Sequence, residues 1–188
     1  DVVEIGLGDS DVDPAVRGQL VRTVGQELRR RKLLREAKSF LEQSLALLEQ
    51  AHGPEHPEVL ANLKDLGVLS GDLLDPRASV EYFQRALPIA ERQFGAEDPE
   101  YVAGILKNLG DAYENLGELE PAREQLERVL QIRIEEHGPR STRVAITMSS
   151  IGNVLVKAGK YDEAIATLEE SVAIRRESAP DNQRGLGY

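Results

Sequence analysis

The sequence contains few of the residue types that build chemically active sites. Its 188 residues include no cysteine, no tryptophan, one methionine and three histidines. The lack of cysteine excludes disulfide frameworks, Cys-ligated zinc, iron–sulfur clusters and thiol nucleophiles, and it fits a reducing compartment. No stretch approaches the ~18 apolar residues that a membrane span requires, and the N-terminal segment resembles no secretory signal. We therefore expect a cytoplasmic protein without membrane insertion.

Acidic residues dominate the charge. The chain carries 33 acids and 23 bases, a formal net charge of −10, which opposes binding to nucleic acid. Six basic residues and one acidic residue lie in the segment from Arg29 to Lys38. This segment has no aromatic side chain that could stack on a nucleobase. This run is typical of a solvated helix face, and contact with an acidic peptide or phosphate is the alternative. The sequence predicts no nucleic-acid partner.

An internal repeat organises the whole chain. Four glycines stand 42, 43 and 42 residues apart: Gly25, Gly67, Gly110 and Gly152. Twelve residues after each glycine comes a small side chain, and sixteen after it a large apolar one (Leu41, Phe83, Leu126 and Leu168). Small and large positions alternating at helical spacing indicate close-packed helix pairs.

Capping signals place two helices in each repeat. A cap residue followed by proline marks helix starts at Asp13-Pro14, His56-Pro57 and Asp98-Pro99, and Ser141 is a candidate N-cap in the fourth copy. Glycines that follow the second helices are candidate C-terminal caps. We expect helices at about 14–30, 33–51, 57–72, 76–93, 99–115, 119–136, 142–157 and 161–178. Pro88 falls inside the fourth and should kink it or remove one hydrogen bond.

Two segments carry a family resemblance. LGDAYENLGELEPAREQLERVLQI (109–132) and IGNVLVKAGKYDEAIATLEESVAI (151–174) resemble tetratricopeptide repeats, with their Leu/Ile-Gly pair and a second glycine seven residues on. The 42-residue period and the connectors GPEHPEV and GAEDPEY resemble the kinesin light chain subtype. The resemblance implies an all-α fold: a right-handed superhelical solenoid of four TPR helix-turn-helix repeats, whose first helices line a concave groove.

The predicted organisation has three parts. Residues 1–13 form an acidic disordered lead, 14–178 the TPR solenoid, and 179–188 a flexible tail. The expected repeats are 14–56, 57–98, 99–141 and 142–178. Exposed apolar side chains at the end of such an array favour further repeats in a longer protein or a homo-oligomer formed through the uncapped end.

The groove is the candidate binding site. Its predicted peptide-binding residues flank the repeat glycines on the first helices: Arg22, Gln26, Arg29, Lys64, Lys107, Asn108, Asp111, Asn115, Asn153 and Lys157. This surface is polar, mixed in charge and basic at its N-terminal end, which suits a peptide that bears carboxylates.

The groove departs from two patterns of the family. Kinesin light chains carry an Asn-Asn pair where this chain has Lys107 and Asn108. The carboxylate clamp that holds chaperone tails is not matched either, because Asp65 stands at a position where such a clamp needs asparagine and would repel the carboxylate. The sequence therefore argues against chaperone-tail capture.

Candidate catalytic and metal sites are weak. His52 and His56 stand four apart, but Gly53 and Pro54 interrupt the helix between them. Asp9, Asp11 and Asp13 mimic a calcium loop without its glycine or its final glutamate. We expect no metal, no cofactor and no catalytic residue. The predicted function is a non-catalytic scaffold or adaptor that binds a partner's peptide; the alternative is a regulatory or sensor segment of a larger signalling ATPase.

Overall fold

The computed structural model describes residues 12–95 and 97–178, and this part of the chain forms eight α-helices without a strand. The helices are α1 (Pro14–Arg30), α2 (Leu34–His52), α3 (Pro57–Asp72), α4 (Pro76–Phe94), α5 (Pro99–Leu116), α6 (Leu119–His137), α7 (Thr142–Lys157) and α8 (Tyr161–Ser178). Each bound lies within one residue of the sequence prediction. The acidic lead up to residue 11 and the tail 179–188 lie outside the described residues.

The chain divides into two compact units, Asp1–Gln93 and Phe94–Tyr188. Within the first unit α1 packs on α2 and α2 on α3; within the second α5 packs on α6, α6 on α7 and α7 on α8. Helix α4 continues past Pro88 to Phe94, so the proline does not end it. Proline has no N–H, and one backbone hydrogen bond is therefore absent from this turn.

Capping side chains begin the helices at the predicted places. Asp13 accepts a hydrogen bond from the backbone N–H of Ala15 at 2.9 Å, and Asp98 accepts one from Tyr101 at 3.0 Å. His56 caps α3 through Nδ1, which accepts from the N–H of Glu58 at 3.3 Å. These bonds satisfy N–H groups that have no partner inside the helix, which is why the cap residues fix the helix starts.

The repeat glycines hold each helix pair at close range. A Cβ built on Gly67 would come within 2.8 Å of the Phe83 ring, and one on Gly152 within 2.6 Å of Leu168. Gly25 and Gly110 face Leu41 and Leu126 in the same way. In all four repeats, the repeat glycine and the large apolar residue sixteen positions later are thus in direct contact.

A buried serine adds a polar contact between paired helices. Ser44 of α2 donates to the carbonyl of Gly18 at 2.7 Å, and Ser171 of α8 donates to the carbonyl of Ala145 at 2.6 Å. Both serines are almost fully buried, so an unbonded hydroxyl there would be costly. The bonds fix each pair's register as well as its spacing.

The turn between the paired helices requires a left-handed residue in every repeat. Gly117 and Gly159 take this position with φ of 86° and 74°, whereas the first two repeats place Lys32 and Leu74 there with φ of 64° and 59°. For residues other than glycine, this left-handed conformation is about 1–2 kcal/mol less favourable than the right-handed one. The first unit therefore carries backbone strain at two turns that the second unit avoids.

Relieving this strain should stabilise the protein. We expect Leu74→Gly to raise the free energy of unfolding by about 0.5–1 kcal/mol, because the gain in backbone energy exceeds the extra entropy of an unfolded glycine. Leu74 is 89% exposed, so almost no packing is lost. Urea unfolding followed by circular dichroism measures the change. Gly117→Ala is the converse control and should lose stability; a loss with Leu74→Gly would contradict the assignment of strain.

Candidate functional site

The first helices of the first unit are joined by what we name the α1–α3 polar row, formed by Arg22, Gln26 and Arg29 of α1 with Asp65 and Asp72 of α3. Arg22 Nε donates to Asp65 Oδ2 at 2.7 Å, and Gln26 Nε2 donates to the same oxygen at 2.8 Å. Arg29 Nε donates to Asp72 Oδ2 at 2.7 Å. All three α1 residues were predicted groove residues, and the structure brings them together on one surface.

The pairing changes the electrostatics that the sequence suggested. The side chains of Arg22 and Asp65 are 27% and 22% exposed, so the pair is shielded from much of the solvent. Arg29 and Asp72 are 36% and 34% exposed. Two arginines of the predicted basic end of the groove, Arg22 and Arg29, are therefore each paired with an aspartate of the next repeat.

Two neighbouring cavities open along α1 and share Gln26. The first, of about 240 Å³, is lined by Gln19, Arg22, Thr23, Gln26, Leu48 and Glu58. The second, of about 250 Å³, is lined by Gln26, Arg29, Arg30, Leu41 and Asp65. Each is smaller than the roughly 300–1,000 Å³ of a typical small-molecule site. Their size and their mixture of polar walls with a leucine suit single side chains of a longer ligand.

Glu58 is a cavity residue that the sequence reasoning missed. Its Oε1 accepts a hydrogen bond from Gln19 Nε2, so it ties the start of α3 to α1. The sequence signal was weak, because this column of the repeat holds Val16, Glu58, Tyr101 and Arg143. In the structure Arg143 pairs with Glu100 of the preceding repeat at 3.1 Å. A charge in this column therefore indicates a contact between successive first helices.

The basic run around the α1–α2 turn is mostly occupied by local acids. Arg30 and Arg31 both pair with Glu27, at 2.6 and 2.8 Å. The Arg31 hydrogen bond, followed by the charge of Arg30, lowers the pKa of Glu27 below its ordinary value. Lys38 lies 3.9 Å from Asp75. These contacts favour a solvated, charge-balanced face over a dedicated phosphate site.

Predicted groove residues of the second unit form their own polar contacts. Lys107 Nζ lies 2.6 Å from Asp111 Oδ2, and Lys157 Nζ lies 2.5 Å from Glu114 Oε1. Asn115 and Asn153 are exposed, and Asn108 is half-buried. In the first unit, Lys64 is half-buried and lines neither of the two cavities.

The two connector histidines lie together, although the sequence had argued that the interrupting glycine and proline keep them off a shared helix face. The His52 and His56 rings stack with centroids 4.0 Å apart and planes 15° from parallel. His52 Nε2 lies 3.4 Å from Glu58 Oε2. His52, His56 and Glu58 each offer one ligand atom of the kind that binds metals, and these atoms lie within 4.8 Å of one another. His56 Nδ1 also accepts the capping bond. The geometry fits a cap and a packing contact.

Comparison with known families identifies the repeat. The profile described as tetratricopeptide repeat matches residues 21–100 and 101–177. The chain belongs to the tetratricopeptide repeat family. TPR domains bind protein partners, and they typically act as non-catalytic scaffolds.

Individual relatives agree with this assignment and with the kinesin light chain-like subtype. The secreted RxLR effector protein RXLR-C07 of Plasmopara halstedii is 23% identical over 86% of this chain and 50% of its own length. KINESIN LIGHT CHAIN-RELATED 1 of Arabidopsis thaliana is 25% identical over 86% of this chain and 26% of its own. The chain thus spans half or less of these curated relatives.

A solved structure confirms the TPR fold. BtubC (BKLC) from P. vanneervenii superposes with a TM-score of 0.77 at 22% identity, covering 95% of this chain and 69% of the other. The all-α fold of helix-turn-helix repeats is therefore confirmed. Among the described residues of this TPR chain, no helix combines the length and the apolar character that a membrane crossing needs.

Proposed function

We propose that the chain is a protein-interaction module that binds a peptide segment of a partner along its first helices. The observation that carries this proposal is the pair of adjacent cavities along α1, lined by the predicted residues Arg22, Gln26 and Arg29. An extended peptide places alternate side chains on one face, about two residues of rise apart, and so suits a surface with two small neighbouring recesses.

The chemistry of the cavities suggests what the peptide carries. Gln19, Thr23 and Gln26 offer amide and hydroxyl groups, which suit a polar side chain or the peptide backbone. Arg29 and Arg30 line the second cavity, where a ligand carboxylate would gain charge-assisted hydrogen bonds. We therefore propose an acidic or amide-bearing side chain beside Gln26.

The second unit offers a separate set of contacts to the same class of ligand. We assign peptide-contact roles to Lys107, Asn108, Asp111, Asn115, Asn153 and Lys157, because they lie beside the repeat glycines as the α1 residues do. Side-chain amides can both donate to and accept from a peptide backbone, which makes the three asparagines its natural anchors.

Selected peptides test the proposal. A random-peptide display library is panned against the full chain, and the selected sequences are synthesised and titrated by fluorescence anisotropy. We expect Gln26→Ala and Arg29→Ala to weaken binding about tenfold or more, as is usual when a hydrogen bond to a charged group is lost. Arg85→Ala is the matched control: its guanidinium pairs with Glu49 between the second helices α4 and α2.

Asp65→Asn tests the charge of the ligand. The asparagine keeps an acceptor for Gln26 and removes the carboxylate that neutralises Arg22. Acidic peptides should then bind more tightly, and raising the salt concentration should weaken them more than the unmodified protein's complexes. If the α1 variants bind as the unmodified protein does while Arg85→Ala loses the peptides, the binding surface lies on the second helices and the proposal is wrong.

A further inference from the structure

We propose that the first unit binds a divalent transition metal ion between α2 and α3, with His52, His56 and Glu58 as its protein ligands. Each of these residues offers one ring nitrogen or carboxylate oxygen, and the three atoms lie within 4.8 Å of one another. Among residues 12–95 and 97–178, no other group of three His, Cys, Asp or Glu side chains brings its ligand atoms this close together. We name these three residues the connector cluster.

The turn between α2 and α3 brings the connector cluster together. His52 is the last residue of α2, and Gly53 follows it with a φ of 82°, which glycine adopts readily. His56 is the N-cap of α3, and Glu58 lies in the first turn of that helix. The sequence argued against a metal because Gly53 and Pro54 interrupt the helix between the histidines. In the structure this interruption folds the two rings against each other, with centroids 4.0 Å apart.

The two carboxylate oxygens of Glu58 have different surroundings. Oε1 accepts a hydrogen bond from Gln19 Nε2. Oε2 is buried and accepts no hydrogen bond from the residues that the structure describes. A buried carboxylate oxygen is unfavourable unless a cation or a donor satisfies it, and a metal ion does so. Carboxylates that bind metals are commonly oriented by a hydrogen bond to their other oxygen, and Gln19 supplies that bond here.

The distance between His52 and Glu58 fits a shared ion better than a direct hydrogen bond. His52 Nε2 lies 3.4 Å from Glu58 Oε2, which is longer than the usual hydrogen-bond distance of about 2.7–3.2 Å. A tetrahedral zinc ion lies about 2.0–2.1 Å from a histidine nitrogen and about 2.0–2.2 Å from a carboxylate oxygen, so these two ligands are about 3.3–3.5 Å apart. The two atoms therefore already have the separation that one tetrahedral ion requires.

His56 completes the site through a small rotation. Its Nδ1 accepts the capping bond from the N–H of Glu58 at 3.3 Å, which is long for a hydrogen bond, and this bond does not use Nε2. The two rings are 15° from parallel, so a ring must rotate about its Cβ–Cγ bond before both histidines direct a nitrogen at one ion. This torsion has broad energy minima in histidine, and the His52 side chain is 28% exposed, which leaves it room to turn.

Contacts with α4 hold the connector in place. Gln93 Nε2 donates a hydrogen bond to the backbone carbonyl of Glu55, and Arg92 pairs with the carboxylate of the same residue. Glu55 directly precedes His56, so these contacts position the cap residue of α3. A binding site that is held by its surroundings loses less conformational entropy when the ligand binds. The connector therefore offers an ion a largely formed site.

The ligand types indicate the class of ion. Two imidazoles and one carboxylate are donors that bind zinc and related first-row divalent ions, whereas magnesium and calcium prefer oxygen ligands alone. Three protein ligands leave the fourth position of a tetrahedral ion to water. Zn²⁺ is therefore the expected ion, and it would link the end of α2 to the start of α3. The metal site does not depend on the proposed peptide site, although Glu58 also lines the first cavity.

Isothermal titration of Zn²⁺ into the full chain, produced without a polyhistidine tag, tests the proposal. We expect one ion to bind per chain in excess Mg²⁺, in a mildly alkaline buffer where protons do not compete for imidazole. His52→Ala and Glu58→Gln should each weaken binding at least about tenfold, which is the loss that follows removal of even an outer contact of a metal site. His56→Ser should have the same effect, and its serine keeps an N-cap for α3.

His137→Ala is the matched control for the histidine variants. His137 is also the last residue of its helix, and its Nε2 lies 2.9 Å from Glu100 Oε1. Two arginines pair with that carboxylate as well, Arg133 at 3.5 Å and Arg143 at 3.1 Å, and they oppose the approach of a cation. Zinc binding should be unchanged in this variant. Circular dichroism verifies that each variant is folded.

Four results contradict the proposal. The first is a chain that takes up no Zn²⁺. The second is binding that excess Mg²⁺ abolishes, because the ion then lies among carboxylates of the acidic surface. The third is binding that persists unchanged in the three variants of the connector cluster. The fourth is a loss with His137→Ala as large as the loss with His52→Ala, because zinc then does not select the connector.

Thermal unfolding gives a second readout of the same site. An ion that binds only the folded protein raises the unfolding temperature as its concentration increases. We expect Zn²⁺ to raise the midpoint of the unmodified protein and of His137→Ala. The midpoints of His52→Ala and His56→Ser should not respond, and a rise in all four proteins would contradict the assignment of the ligands.

Discussion

Phe83→Ala is expected to lower the free energy of unfolding by about 3–5 kcal/mol, in the range found for large aromatic residues removed from protein cores. Phe83 is 2% exposed and lies against Gly67, which has no side chain to move into the vacated space. The contact is therefore replaced by a cavity between α3 and α4, and the loss combines transfer and cavity energies.

Urea unfolding monitored by circular dichroism measures this loss. Tyr161→Ala is the aromatic control, because Tyr161 is 63% exposed and its truncation should change stability by no more than about 0.5 kcal/mol. A loss below about 1 kcal/mol for Phe83→Ala would show that the two helices close over the space, and that the contact does not set their separation.

Two glycines four residues apart on α3 should respond in opposite directions to the same substitution. Gly67→Ala places a methyl group 2.8 Å from the Phe83 ring, and overpacking of this kind costs about 1–3 kcal/mol. Gly71→Ala meets no atom within 4 Å and should gain about 0.5–1 kcal/mol from better helix propensity. The helix and the chemistry are the same, so the difference isolates the packing contact.

Thermal and urea unfolding of the two variants side by side provide the test. The expected signature is a lower midpoint for Gly67→Ala and a higher one for Gly71→Ala, with unchanged helix content in both. If both substitutions stabilise the protein, the ring of Phe83 moves aside without cost, and helix propensity alone decides the result.

The sequence was sufficient to predict most of the fold because the repeat makes each signal appear several times. The glycine column and the large residue sixteen positions later define one helix-to-helix contact, which recurs in all four copies. Cap residues before proline fixed the helix starts. Lys32 and Leu74 were missed at the left-handed turn because only the later repeats mark this position with glycine.

The candidate site was less predictable, since it depends on the offset between successive first helices. Arg22 contacts Asp65, 43 residues on, and not the residue 42 positions away that the alignment places beside it. The same offset joins Arg29 to Asp72. Sequence periodicity gives the column to which a residue belongs, whereas stacking geometry decides which neighbouring column it contacts. For this reason the sequence predicted the α1 residues as groove residues but not their pairing with Asp65 and Asp72.

The carboxylate of Asp65, which accepts hydrogen bonds from both Arg22 and Gln26, would compete with an acidic ligand for these two side chains. An acidic ligand that uses Arg22 must first displace a group held beside it by the fold, at an effective concentration on the order of millimolar or above. A peptide that makes a single weak contact would not displace Asp65 from Arg22, whereas a peptide that also contacts Gln26 and Arg29 would. Only ligands that contact several neighbouring groups at once would therefore gain enough binding free energy to displace it.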